Sequence, residues 1–344
     1  MEDLPLNPAQ PPTTEQIREA HHLSLRLADI FMPQALRQMK ALYERVPGQT
    51  TGRVVHYTTA EAALQIIETK RLWMRNTICM TDFSEVLHGY NIYNQYFREE
   101  TKRKTFIEAF ESVAPGVATE AIAAFDNAWS DIRLNTYIAC VSEHQDSEDK
   151  NGRLSMWRAF GGGTGTRVGI VFSIPYMTVS PIALGLSFSP VAYLEPPAVH
   201  KVIDEVVANV RREHAYLQTL ERDVLFRMIF QMLVSGIVSL KHEGFREELE
   251  WRAIYTPNRW FSQLMESSTK VIGGVPQIVH QIPLDGAAHP QIADLDFAVL
   301  FDRLIIGPTS YPWPIFVAFE QALKNAGVAE GGKRIVFSEI PIRA

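Results

Sequence analysis

The sequence predicts an α+β fold, a central mixed β-sheet with helices grouped around it. Short apolar runs of strand character are scattered along the chain, long stretches of helical spacing separate them, and there are no internal repeats, heptads or low-complexity tracts. The 344 residues, 46% hydrophobic, suffice for a large core. No composition shift marks a linker. Residues 1–50 therefore read as a proline-rich lead with an N-terminal helical extension. Residues 51–344 read as a single α+β domain with helical insertions near 82–130 and 199–240.

From Glu15 to Val46 apolar residues recur at helical spacing (Leu23, Leu27, Ile30, Leu36, Leu42), and Pro33 forces a break or kink. Pro47-Gly48 marks a turn. Arg53 to Tyr57 is a strand that runs into His56-Tyr57-Thr58. Thr58 stands three residues before Glu61, the spacing of a capping box, at the start of a helix over Thr59–Thr69. Leu72–Asn76 is the exit strand. Asp82 with Glu85 repeats the N-cap spacing, and helix continues to about Trp129, broken near Pro115-Gly116. Thr136–Ser142 is a strand, Glu143–Arg153 a polar loop, Leu154–Phe160 a short helix and Arg167–Ser173 a strand.

The intervening Gly161-Gly162-Gly163-Thr164-Gly165-Thr166 run is not a phosphate loop. No Lys-Ser/Thr follows, and a strand rather than a helix N-terminus comes next. It reads as a loop that joins two elements or closes over a site. Val191–Leu194 is an edge strand, with prolines after it. Val199–Leu240 is a second helical block, whose apolar stretch from Phe226 is interrupted by Arg227 and Gln231. That stretch is shorter than the roughly 20 residues a bilayer requires, so it reads as a buried helix. Strands at Glu248–Tyr255, Gln277–Ile282, Leu304–Ile306 and Arg334–Ser338, with a helix over Pro314–Ala326, complete the pattern.

The net charge of −6 supplies no global basic field for nucleic acid or anionic membrane. Cys79 and Cys140, in apolar runs, read as buried free thiols that suit a reducing compartment. Met1 to Thr14 lacks the basic and apolar regions of a signal peptide. A soluble, cytoplasmic protein with no membrane partner is the expectation. His21-His22 has no partner at zinc spacing, Asp146, Glu148 and Asp149 form a solvated loop, and no Gly-x-Ser-x-Gly elbow occurs. No metal is expected.

The sharpest feature is Glu247-Glu248-Leu249-Glu250-Trp251-Arg252. Strand alternation puts Glu248, Glu250 and Arg252 on one face and Leu249, Trp251 and Ala253 on the other. Either Arg252 completes a surface ion ladder of little energetic weight, or the carboxylates meet a substrate. Ser155 caps its helix or donates to a ligand, and Trp157 packs.

The order of motifs, from His-Tyr-Thr through Leu-Trp-Met-Arg-Asn, Cys-Val-Ser-Glu, Leu-Ser-Met-Trp-Arg and Glu-x-Glu-Trp-Arg to Ile-Ile-Gly-Pro, resembles a widespread bacterial domain family of unknown function, over about Val54 to Pro308. More distantly, the opening strand–His–helix–strand unit and the late glutamate strand are similar to the ADP-ribosyltransferase superfamily. That resemblance implies NAD as substrate. His56 would orient it, with Tyr57, Thr58, Trp73, Trp157 and Arg252 around it. Ser142, Ser155 or Tyr193 would take the middle position, and Glu250 with Glu248 the catalytic one.

Cleavage of the NAD glycosidic bond passes through an oxocarbenium-like cation, which a nearby carboxylate stabilises. The acceptor implied is a protein, a nucleic acid or water, and the role that of a bacterial toxin, effector or phage-defence component. Two other readings stand beside it: a non-catalytic nucleotide- or partner-binding module that docks through the N-terminal helices, and a metal-dependent nuclease-like effector. The NAD reading expects His56 and Glu250 to face one cleft.

Overall fold

The computed structural model of the chain describes residues 13–45, 50–80, 85–159, 165–176, 178 and 180–341. The proline-rich lead, the Pro47-Gly48 turn, Asp82 to Ser84 and most of the glycine run lie outside them.

Helix α1 (Thr14–Phe31) opens with a capping box in which Gln16 N–H donates to the Thr13 hydroxyl and Thr13 N–H to the Gln16 side chain. It stops at Met32, and Pro33 starts α2 (Pro33–Tyr43), where its missing N–H costs nothing. The strand–helix–strand unit is β1 (Thr51–Thr59), α3 (Ala60–Thr69) and β2 (Arg71–Asn76). The cap of α3 is Thr59, whose hydroxyl accepts from Ala62 N–H at 3.1 Å. Thr58, the expected cap, lies one residue before the helix start, paired with Val168 in the sheet, and the cap falls to Thr59.

The first helical insertion comprises α4 (Glu85–Arg98), α5 (Glu100–Glu111) and α6 (Val117–Leu134), with Gly116 at φ 76° before the last. Then come β3 (Tyr137–Glu143), α7 (Leu154–Ala159), β4 (Arg167–Pro175), α8 (Ser180–Ala183), β5 (Leu186–Pro190) and β6 (Ala192–Tyr193). The second insertion is α9 (Pro196–Arg212), α10 (His214–Leu217) and α11 (Arg222–Val238). The chain closes through β7 (Leu240–Lys241), β8 (Glu250–Tyr255), β9 (Glu266–Ile272), β10 (Val275–Pro283), α12 (Phe297–Leu300), β11 (Phe301–Ile306), α13 (Pro312–Asn325) and β12 (Ile335–Phe337). Strands β5, β7 and β9 are not foreseen by the sequence pattern. β9 is an edge strand with a polar start, Glu-Ser-Ser-Thr-Lys, and no buried face to give it a period.

The fold is mixed α and β around one largely antiparallel sheet, ordered β12-β11-β4-β1-β3-β2-β10-β9, with β8 paired to β3 and β5 to β8. Among the described residues, β11–β12 is the one parallel pair within it. The position of β3 is unusual because it has three neighbours. β8 pairs along one edge from Tyr137↔Tyr255 to Ser142↔Glu250. The other edge is shared, by β1 at Val55↔Ser142 and by β2 at Asn76↔Tyr137. Between those contacts β1 and β2 diverge, and the sheet splits.

Helices cover both faces. Val54, Met74, Val141, Trp251 and Phe172 pack with α3 and α13 on one side. On the other, Ile138 and Ile254 pack against the helical block, and Val55, Tyr57 and Val171 against Met156 and Trp157 of α7. The N-terminal helices are integral to this packing. Leu27, Ile30 and Phe31 of α1 join the helical core, and Leu42 and Tyr43 of α2 the sheet core. No helix among the described residues is long and apolar enough to cross a membrane.

Helices α4 and α11 approach through glycines. A Cβ on Gly236 would collide with the Tyr93 hydroxyl, and one on Gly89 with the Ile237 backbone. Exposed Gly→Ala changes in helix interiors stabilise by up to about 1 kcal/mol. Gly236→Ala should instead destabilise by about 1–3 kcal/mol through overpacking, read as a lowered urea midpoint. A raised midpoint would show that the two helices do not meet there.

Candidate functional site

The chain enters β8 from a single 3-10 segment, Glu243–Glu248, and Leu249 adopts the left-handed region at φ 45°. Strand alternation therefore begins at Glu250, and Glu248 is not on the strand, contrary to the sequence pattern. Glu250 and Arg252 do share a face, as expected. What they form is no surface ladder: Glu250 is 7% exposed and Arg252 2%.

Arg252 donates to the Glu250 carboxylate from Nε at 2.8 Å and Nη2 at 3.1 Å, and from Nη1 to the Val238 carbonyl at 2.5 Å. Lys241, also buried, donates to Glu248 Oε2 at 2.7 Å and Glu250 Oε2 at 3.4 Å. The Glu250 N–H donates to the Tyr193 hydroxyl at 2.9 Å. Two carboxylates and two cations thus form a charge-balanced cluster. Burial alone would raise the Glu250 pKa, but Arg252, Lys241 and the Cys140 thiol bring it from 4.5 to about 2. The Cys140 thiol is pushed far up by burial and by Glu250, so it is no nucleophile. Glu248 is the carboxylate that reaches solvent, with a side chain 24% exposed.

The pairing register decides which candidate residues share that face. Directly opposed residues point the same way, so Glu250, Ser142 and Val55 lie on one face, and alternation adds Cys140, Arg252 and Tyr57. His56 and Thr58 lie on the other, and the shared cleft expected for His56 and Glu250 does not form. His56 fills the split in the sheet. Its Nδ1 lies 2.9 Å from the Cys140 carbonyl, which only accepts, so Nδ1 carries the proton. Burial lowers the His56 pKa and keeps the ring neutral. His56 and Glu250 nonetheless touch the same residue, one through the Cys140 backbone and the other through its thiol. Trp73, on the strand that leaves β3 at the other end of the split, is partly exposed with Lys270 Nζ 5.4 Å from its ring centre.

The α7 segment borders Glu248. The Arg153 guanidinium donates to the carbonyls of Glu247 and Glu248, both at 2.9 Å, and to that of Glu143, while pairing with Glu148. The Arg153 N–H donates to the Tyr57 hydroxyl at 2.9 Å. Trp157 is buried edge-on against Tyr57 with its indole N–H on the Asn151 carbonyl, a packing role. Ser155 is partly exposed on the same helix, which packs against the 3-10 segment ending at Glu248. Ser142 is buried on the Glu250 face.

Sequence reading missed Lys241, the first charge after the long apolar helix. It also read Asp146, Glu148 and Asp149 as solvated. Asp146 is 78% exposed as expected, but Arg53, on β1, gathers it with Asp149 and Asp302 within 2.7 Å, and His144, fully buried, meets Asp149 at 2.8 Å. Arg153 holds Glu148. An arginine within an apolar strand was the available signal, since a charge drawn partly into the sheet demands carboxylate partners. No group of three or more His, Cys, Asp or Glu side chains suited to a metal ion occurs among the described residues.

Breaking the buried pair should be costly. Glu250→Gln leaves Arg252 and Lys241 uncompensated and should lower stability by about 3–5 kcal/mol in denaturant unfolding. Because the folded-state pKa of Glu250 is depressed, its contribution is present above pH 4.5 and lost as pH falls toward 2. The wild-type protein should therefore lose stability across that window, and the variant should show a shallower loss. A variant as stable as wild type, with the same acid limb, would contradict this arrangement.

Compared with known proteins, residues 156–253 match a family model described as a protein of unknown function, DUF2971. That segment runs from α7 to β8 and contains Trp157, Lys241, Glu248, Glu250 and Arg252. No curated protein and no solved structure matches the chain.

Proposed function

We propose that the protein cleaves the N-glycosidic bond of NAD, passing ADP-ribose to a protein, a nucleic acid or water. The observation that carries the reading is the pair of carboxylates that share Lys241: Glu250, held ionised in the interior, and Glu248, reaching solvent beside α7. A fixed negative charge costs no reorganisation when a ribosyl cation develops next to it. Glu248 is the group placed to meet that cation or the ribose 2′-hydroxyl, and Glu250 with Arg252 holds Lys241 and the strand beneath it.

β1, β3 and β8 are adjacent, as the ADP-ribosyltransferase layout of histidine, serine and glutamate strands requires, but His56 and Glu250 take opposite faces, so the reading rests on Glu248 and not on a shared cleft. Trp73, partly exposed beside the split, is the aromatic group for the nicotinamide side, because Tyr57 is buried against Trp157. His56 becomes a positioning residue that fixes β1 against β3. An enzyme of this kind in a bacterium would serve as a toxin, effector or phage-defence component.

The test is nicotinamide release from NAD, measured by chromatography with and without magnesium, together with NAD titration by calorimetry. Wild-type protein should bind NAD and release nicotinamide. Glu248→Gln should lower turnover by about 10²–10³-fold and cost less stability than Glu250→Gln, because its side chain is partly exposed although it pairs with the buried Lys241. NAD binding without release would point to a nucleotide-binding module, and strictly magnesium-dependent nucleic-acid cleavage to the nuclease reading. Neither binding nor release would overturn the proposal.

A further inference from the structure

On the face of the sheet opposite Glu250 lies a cavity of about 370 Å³, roofed by α1 and α2. Its floor comes from four strands, through Val54, Leu72, Val141 and Trp251. Its roof includes Ala28 and two methionines, Met32 and Met39, whose unbranched thioethers adapt to varied shapes. The wall is overwhelmingly apolar, and water needs several polar partners to occupy such a space. Left empty, it forfeits dispersion contacts along its whole lining.

One end of the cavity is polar. His21 lies edge-on to Tyr176 at 4.6 Å, Tyr176 lies against Tyr43 at 4.7 Å, and all three line the cavity. The His21 Nε2 is buried and has no hydrogen-bond partner among the described residues. Thr178, also in the lining, donates to the Asp294 carboxylate, which Ser180 holds as well. Ser24 lines the cavity and is exposed, so an entry lies beside it.

We infer that this cavity is a binding site for a neutral, largely aliphatic molecule with one hydroxyl or carbonyl head group, which meets His21 Nε2. A cavity of about 150 Å³ takes up benzene, so this one suits about 15 non-hydrogen atoms by the same measure. The head group is neutral because Asp294 already supplies negative charge at that end, and a second carboxylate would meet it across a low-dielectric wall. The site is separate from the NAD reading and stands without it.

The probe is 1-decanol, titrated calorimetrically into the full chain and followed by thermal unfolding, with decanoate at neutral pH as the charged comparison. Wild-type protein should bind decanol and melt at a higher temperature in its presence, with decanoate at least tenfold weaker. Ala28→Phe, on the roof helix, should fill the space and abolish binding. Ala139→Leu fills it from the strand side and guards against a variant that fails to fold. His21→Leu should weaken decanol about tenfold while leaving the unliganded melting temperature near wild type. Absence of decanol binding by wild-type protein, or unchanged binding by both folded cavity-filling variants, would overturn the site. Decanoate binding as tight as decanol would overturn the neutral head group.

Discussion

Arg252 is the residue on which the architecture turns. Its guanidinium grips Glu250 on its own strand with two nitrogens and the last carbonyl of α11 with the third. The planar fork suits both tasks, and the cation meets the negative end of the helix dipole. The long apolar helix thereby ends at a fixed height above the sheet. The chain leaving it delivers Lys241 to the same carboxylate, and Tyr193 receives the Glu250 amide. A charge so deep in the protein survives only because every neighbour is committed to it.

That commitment divides the work between the two glutamates. The inner one cannot approach a substrate without abandoning Arg252. The outer one, on a 3-10 turn and released from strand alternation by the left-handed Leu249, is tied to the cluster through Lys241 and keeps one side toward solvent. A carboxylate at the surface is backed by paired charges in the interior, and β8 is buried on both its faces.

Most of the scaffold was legible in the sequence because its elements announce themselves by period and punctuation. Pro33 ends one helix and starts the next, Gly116 precedes α6, and the apolar runs around Val54, Ile138 and Val168 are strands. The candidate site was harder to read. Alternation of charged and apolar residues in β8 suggested one wet face and one dry face, yet the helical block covers the charged face. The same rule placed Glu248 on the strand, since a single residue with positive φ leaves no mark when it is leucine rather than glycine. His56 was found but not its direction. Which way a side chain points depends on register with a strand 84 residues away, and local pattern carries no such information.

The split at β3 has a consequence for how the chain is made. His56 and Cys140 are separated by 84 residues and Glu143 and Trp251 by 108, so β3 cannot be flanked on both edges until β8 has been synthesised. Contacts of such sequence separation slow folding, and during synthesis domains fold only as their parts emerge. Until then β3 presents an unpaired edge with Ile138, Ala139 and Val141, the kind of strand that recruits the wrong neighbour. The second helical insertion, α9 to α11, is synthesised in that interval. Its C-terminus, clasped by Arg252, then brings the missing strand home.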